Sequence, residues 1–294
     1  MSRSRKKTTR RIIAFQGAPG AYSDLACRHV YPGMKTLACP SFEDVIAAVR
    51  RGRAELAMLP IENSVAGRVA DIHHLLPDSG LYIVAEHFER VNHQLLALPG
   101  ASLKTIKTVR SHVHALSQCR GLIRRLGLKP VVSADTAGAA SELASSDDKS
   151  VAVIASALAA RIYRLKTLKR NIEDARHNTT RFLVMARKAR TPPNDGRLTV
   201  TTFVFNVKNV PAALYKALGG FATNGVNMTK LESYMVGGEF TATQFYADVE
   251  GHPRSRALGL ALEELEFVTR KLKILGVYRG HPFRAKAAKK LRKP

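Results

Sequence analysis

Tryptophan is absent from the 294 residues, aromatic side chains make up only 6%, and there are three cysteines, Cys27, Cys39 and Cys119. Three scattered thiols with no CxxC spacing argue against a disulfide framework and a zinc finger, and suit reduced cysteines in a cytoplasmic protein. Sparse aromatics with no RNP-like cluster remove the stacking platform that single-stranded nucleic acid needs. No apolar run approaches the roughly 18 residues of a membrane span. The basic opening MSRSRKKTTRR is followed only by IIAF, too short for a signal-peptide core. Acidic residues are also scarce: 23 Asp and Glu face 47 Lys and Arg, a net charge of +24. Six of the basic side chains lie in residues 1–11 and six more in RAKAAKKLRKP, 284–294. Half the excess therefore sits in two basic extensions, 1–11 and 281–294, that read as flexible tails. The remainder reads as a solvated basic surface, or as a field that concentrates a dianionic substrate. Nucleic-acid binding is not expected as the main function.

What is present is an alternation of apolar runs and helical periodicities. IIAF (12–15) reads as a buried strand, and QGAPGAYSD as a tight turn into a helix near Ser23 or Asp24. SFEDVIAAVRRG (41–52) has an N-cap serine and a terminal glycine, and ELAMLPIENS (55–64) is a short strand ending at Pro60. HALSQCRGLIRRLG (114–127) reads as one helix, PVVSA (130–134) as a strand, 136–145 as an alanine-rich helix, SVAVIAS (150–156) as a strand and ALAARIYRL (157–165) as a helix. This order predicts an α/β domain with a largely parallel sheet. RTPPNDGR (190–197) is a linker. Beyond it come a strand (LTVTTFVFNV), a helix opening at a proline (PAALYKALGGFATNG) and two strands joined by Gly237-Gly238. An amphipathic helix with Leu258, Leu262, Leu265 and Leu272 on one stripe and a last strand, KILGVYR, follow. The order βαββαβ is ferredoxin-like.

Five stretches carry candidate chemistry: FQGAPGAYS (15–23), LPIENSVAGRV (59–69), SHVHALSQC (111–119), NTTRFLV (178–184), and PAALYKAL with NMTKLES (211–218, 227–233). Read alone, NTTRFLV is a capped strand with β-favouring threonines, and PIENSVAG an ordinary turn. Gly17-Ala-Pro-Gly20 is neither GxGxxG nor a P-loop, so nucleotide binding is not indicated. His73-His74 and Glu86-His87 form no metal-site pattern and read as surface features.

In order and spacing the five stretches resemble prephenate dehydratase with a C-terminal ACT domain, over residues 12–280. The resemblance implies a bilobal catalytic domain of the periplasmic-binding-protein type at 12–189, the linker 190–197 and a βαββαβ ACT regulatory domain at 198–280. It implies conversion of prephenate to phenylpyruvate with loss of water and CO2, in L-phenylalanine biosynthesis, a reaction that requires no redox cofactor and no metal. Hydroxide is a poor leaving group, so a hydrogen-bond or proton donor must face the departing oxygen. By the family's pattern Thr180 is that donor, with Asn63, Glu62, Gln118 and Ser111 as the other catalytic residues. Arg181, Asn178, Thr179, Phe182, Ser64, Tyr22 and Ser23 are substrate-site residues, Arg181 being a natural partner for a carboxylate. His112 or His177 is a candidate proton relay. Val113 and His114 depart from the family's Pro and Gln.

The ACT resemblance implies L-phenylalanine as allosteric ligand, at Ala212, Ala213, Leu214, Asn227, Thr229, Glu232 and Ser233, and a homodimer or homotetramer formed through these domains. Ala212 replaces a glycine, and Tyr234-Met235 replace an Arg-Pro pair. Arogenate dehydratase is the alternative within the same class. A non-catalytic amino-acid-responsive binding protein is the alternative outside it.

Overall fold

The computed structural model describes residues 11–175, 177–208, 210–235 and 242–285. Residues 1–10, the Gly237-Gly238 turn and the tail from 286 onward lie outside the described residues. The chain divides into two compact units, one running up to Val69 and resuming over His87–Phe182, the other comprising Ala70–Glu86 and the chain from Leu183.

The first unit holds two lobes, each built on its own sheet. In the first lobe β1 (Ile12–Gln16) is central, parallel to β2 (Lys35–Cys39) and to β3 (Leu56–Asn63). Helix α1 spans Tyr22–Val30 and α2 spans Phe42–Arg50. Ser41 caps α2 by accepting the Asp44 N–H at 3.1 Å, and Glu43 and Asp44 complement the dipole of its first turn. β3 does not stop at Pro60. Its pairing with β1 ends at Met58, so the missing proline N–H costs no bond there, and the strand continues to Asn63. Glu62 and Asn63 then pair with β4 (Gly67–Arg68).

Helix α3 (Ala70–Leu75) belongs to the second unit, and β5 (Tyr82–Arg90) begins there and ends in the first. The second lobe's sheet runs β10-β6-β9-β7-β8, from β6 (Gln94–Ala97), β7 (Thr108–Ser111), β8 (Lys129–Val132), β9 (Val151–Ala155) and β10 (Lys166–Lys169). It is mixed rather than largely parallel: β7 is parallel to β8 and β9, but β6 is antiparallel to β9 and β10. Both faces are buried. Leu95, Ala97, Ala152 and Ile154 point into one core, and their neighbours Leu96, Val153 and Ala155 into the other. The expected helix 114–127 is two, α4 (Val113–Gln118) and α5 (Arg120–Arg125). Cys119 leaves the helical region at φ −123° and ψ 21°, and the Asp174 carboxylate accepts the Gly121 N–H at the new start. Helices α6 (Thr136–Ala144) and α7 (Ala157–Ile162) precede β9 and β10, and β11 (Thr179–Ala186) begins in the first unit and ends in the second. Gly20, at φ +91°, lies against α7, where an added Cβ would stand 2.8 Å from the Ala159 Cα. The QGAPG turn therefore needs a glycine at that point.

In the second unit β12 (Thr199–Val207), α8 (Ala213–Thr223), β13 (Met228–Met235), β14 (Ala242–Glu250), α9 (Arg256–Val268) and β15 (Thr269–Arg279) follow the order βαββαβ. Their strands form the antiparallel order β13-β14-β12-β15. Phe203 stacks on Phe221 at 5.7 Å, Phe205 on Phe245 at 5.3 Å, and Leu258, Leu262 and Leu265 of α9 complete the core. Leu272 is not on that helix but on β15. Helix α8 starts at Ala213 because Ala212 sits in the left-handed region, φ 61° and ψ 15°. That conformation disfavours any side chain by about 1 kcal/mol, which accounts physically for glycine in the related motif.

Ala70–Glu86 is bound into this unit. Ile83 pairs with Gly276, and the Lys273 ammonium donates to the Pro77 carbonyl. His73 and Glu86 are buried, not surface features. His73 Nδ1 lies 2.7 Å from the Tyr234 hydroxyl. The Glu86 carboxylate receives Arg284 at 2.6 and 2.9 Å, and Arg284 also donates to Thr229 at 3.0 Å. The first residues of the C-terminal extension are therefore fastened, and Arg284 is not a free tail cation.

Candidate active site

The connections between the lobes bring distant polar side chains into one line. Asn63 ends β3, and its Oδ1 accepts the backbone N–H groups of Val65 and Ala66 at 2.9 and 2.8 Å. This fixes the amide's orientation, because only an oxygen can receive two N–H donors. Its Nδ2 then donates to Asn178 Oδ1 at 2.8 Å and to Thr180 Oγ1 at 2.9 Å. With its oxygen occupied, Asn178 donates through Nδ2 to Gln118 Oε1 at 2.8 Å. The same Gln118 oxygen stands 2.9 Å from His93 Nε2, so that nitrogen must carry the proton. His93 Nδ1 is left as an acceptor, 3.0 Å from the Tyr22 hydroxyl, which also reaches the Asn92 carbonyl at 2.9 Å. Two backbone amides thus set the direction of every bond from Thr180 to His93.

The consequence falls on Thr180. Its oxygen is used as an acceptor by Asn63, and among the described residues no acceptor takes its proton. The residue is half-buried near the start of β11, and its O–H is left to donate to a further partner. Asn178 and His93 are almost completely buried, at 1% and 2% exposure, which makes unsatisfied alternatives expensive.

The other sequence candidates fall into two groups. Glu62, Asn63, Asn178, Thr179, Thr180 and Ser64 are gathered where β3 and β11 meet. Ser64 donates to the His177 carbonyl at 2.8 Å and accepts the Thr179 N–H at 3.0 Å, so it ties the loop before β11. Tyr22 and Gln118 join through His93, and Ser23 is buried in the first turn of α1. Arg181 is 3% exposed, bonded to Glu62 at 3.1 Å, with the Phe88 ring 6.0 Å away. Alternation along β11 places it on the face opposite Thr180. Phe182 is core. The Ser111 hydroxyl is also committed, donating to the Ile154 carbonyl at 2.6 Å in a fully buried position at the end of β7. Neither suggested relay histidine bonds to Thr180. His112 caps α4 by accepting the His114 N–H at 3.3 Å, and His177 contributes its carbonyl to Ser64.

His93 is the residue that sequence reasoning missed. Burial, only partly offset by the Gln118 bond and by Glu173, pushes its pKa below the ordinary value and keeps the ring neutral. A histidine depressed in the folded state contributes stability that is complete above its unfolded pKa of about 6.5 and is lost as pH falls through the lower folded value. His93→Gln, whose amide nitrogen can still donate to Gln118, should keep kcat within about threefold and flatten part of the stability loss between about pH 7 and 5. His93→Leu removes the donor and should lower kcat on the order of 10- to 100-fold through mispositioning. Steady-state kinetics and urea midpoints across that pH range check both.

In the second unit, the residues of the related sensor motifs are only partly together. Thr229 and Ser233 share one face of β13 and Glu232 lies on the other, bonded to Lys230 at 3.0 Å. Asn227 donates to Glu250 at 2.8 Å. Among the described residues no group of three or more His, Cys, Asp or Glu could hold a metal, and no helix is long and apolar enough to cross a membrane.

A bilobal α/β unit with an amide-held threonine hydroxyl, followed by a βαββαβ unit, fits a lyase of the dehydratase type. The family model described as prephenate dehydratase matches residues 13–190, and the chain belongs to the prephenate dehydratase family. It is 57% identical over 276 residues to the bifunctional N-acyl-homoserine lactone acylase/prephenate dehydratase of Komagataeibacter europaeus, covering 94% of this chain and 98% of that one. The arogenate dehydratase/prephenate dehydratase 1 of Arabidopsis thaliana is 38% identical, with 90% of this chain and 71% of that one covered. Among solved structures, prephenate dehydratase from Arthrobacter aurescens in complex with L-Phe superposes with a TM-score of 0.83 at 28% identity, over 95% of this chain and 98% of that one.

Proposed function

We propose that the protein converts prephenate to phenylpyruvate in the cytoplasm, as a step of L-phenylalanine biosynthesis, and that Thr180 assists departure of the ring hydroxyl. The observation that carries this reading is the Thr180 hydroxyl, which accepts from Asn63 and so keeps its own proton for another partner. Loss of the ring carboxylate as CO2 sends an electron pair into the ring as the C–O bond breaks, and aromatisation supplies much of the driving force. The hydroxide that leaves needs a hydrogen bond at the moment charge develops, which a preoriented O–H provides. Tight amide bonding on the far side keeps that O–H from turning away. Thr180 and Asn63 are the central pair, with Asn178 and Gln118 holding Asn63, and Glu62 holding Arg181.

The domain reading follows: catalytic residues 12–189, linker 190–197, an ACT regulatory domain at 198–280, assembly into dimers or tetramers through it, and L-phenylalanine as inhibitor. The L-Phe complex of the Arthrobacter relative supports the last point, with Ala212–Leu214 and β13 as the site. Purified protein should form phenylpyruvate from prephenate, and L-phenylalanine should suppress it. Turnover indifferent to phenylalanine would keep the enzyme and remove the sensor. Exclusive turnover of arogenate would replace the substrate.

A second activity has its own support. The Komagataeibacter relative carries acylase in its name, and the identity of 57% extends over 98% of its length. Hydrolysis of an N-acyl-homoserine lactone, followed by release of the free amine, tests it.

A further inference from the structure

The first unit contains a cavity of about 820 Å³ that Thr180 does not line and that shares Tyr22, the far end of the Thr180 chain, and two of its other wall residues are His29 and Glu89. His29 Nδ1 lies 2.8 Å from Glu89 Oε2, and His87 Nε2 lies 3.0 Å from the same oxygen. A carboxylate only accepts, so both histidine nitrogens facing it carry protons. Burial opposes charge on Glu89, but the bonds from His87 and His29 hold its carboxyl below the usual range and keep it ionised. With Nδ1 facing Glu89, Nε2 is the His29 ring nitrogen left for a further partner. The His29 side chain is 55% exposed while that of Glu89 is 9% exposed. This is an accessible imidazole base held in one tautomer by a buried carboxylate, the orientation a general base requires.

The rest of the wall joins apolar surface to guanidinium groups. Leu25, Ala160 and Leu165 offer apolar surface, and Arg161, Arg164 and Arg170 bring guanidinium groups that have no carboxylate partner among the described residues. A volume of about 820 Å³ lies in the range of small-molecule sites. We propose that this cavity is a second, hydrolytic site, in which His29 oriented by Glu89 activates water to cleave an amide bearing an aliphatic acyl chain. The inference rests on the acylase reading given above. Water adds to the amide carbon as its proton passes to His29 Nε2, and the arginine groups face the oxyanion that forms. The C–N bond then breaks, and His29 returns the proton to the leaving nitrogen. The products are a carboxylic acid and a free amine, with water the only co-reactant.

The test uses the full-length protein with N-octanoyl-homoserine lactone, measuring released homoserine lactone, alongside prephenate turnover in the same samples. His29→Ala should lower amine release about 10²- to 10³-fold, the contribution of a positioned base. It should leave prephenate turnover within about twofold, which also shows that the variant is folded. Glu89→Gln should lower amine release as well, while keeping the shape of the carboxylate. Amine release by the parent protein that survives His29→Ala would leave the acylase reading standing and overturn this site. No release by the parent protein would overturn the reading and the site together.

Discussion

Thr180→Val is expected to reduce kcat for prephenate by about 10²- to 10⁴-fold, the span of a lost donor to a leaving oxygen. Valine matches threonine in shape, so KM should change little, because the hydroxyl matters most when charge develops on the departing oxygen. Thr180→Ser, which restores a hydroxyl at the same place, should recover most of the rate. Removing the Thr180 oxygen also strands one N–H of Asn63, at a cost of about 1–3 kcal/mol. A matching fall in the urea midpoint is therefore expected, small enough to leave a folded enzyme to assay. Equal losses in the valine and serine variants would mean that packing at the start of β11, not the proton, sets the rate.

Much of this architecture could be read in the sequence because it is carried by contiguous patterns. The β1 apolar run, the Ser41 cap, the Pro-Pro-Asn-Asp-Gly linker and the βαββαβ order are each written in neighbouring residues. Strands such as KTLAC, TVRS and KTLK have no such signature because they are short and half polar, and only their partners make them strands. NTTRFLV and PIENS stand out in the sequence as candidate site segments, and the structure brings them together where β3 and β11 meet. Their internal division is not legible in the sequence, since alternation along β11 puts Thr180 and Arg181 on opposite faces, with Arg181 buried against Glu62. His93 left no local sign. It stands 25 residues from Gln118 and 71 from Tyr22, and only the crossing between lobes brings the three together. Arg284 likewise reads as one more charge in a basic tail, because the carboxylate that fixes it, Glu86, lies 198 residues earlier.

The second large effect is expected from Asn63→Asp. The change is isosteric, and one oxygen of the new carboxylate can still accept the Val65 and Ala66 N–H groups. What is lost is both donors. The other carboxylate oxygen would then face Thr180 as an acceptor and take its proton inward, away from the substrate. Further along, Asn178 and Gln118 can flip, His93 can move its proton to Nδ1, and Tyr22 can donate wholly to the Asn92 carbonyl. The chain reverses without leaving a buried group unsatisfied, so the fold should persist. The added negative charge repels a dianionic substrate and belongs in KM, weakening with salt, whereas the captured proton belongs in kcat.

The most direct test is therefore kcat of Asn63→Asp at saturating prephenate. A fall of about 100-fold or more, with an unfolding midpoint close to that of the parent protein, is the result expected if the direction of the Asn63–Thr180 bond controls the chemistry. A kcat within about threefold of the parent would contradict it, because an enzyme indifferent to that reversal does not depend on the Thr180 proton.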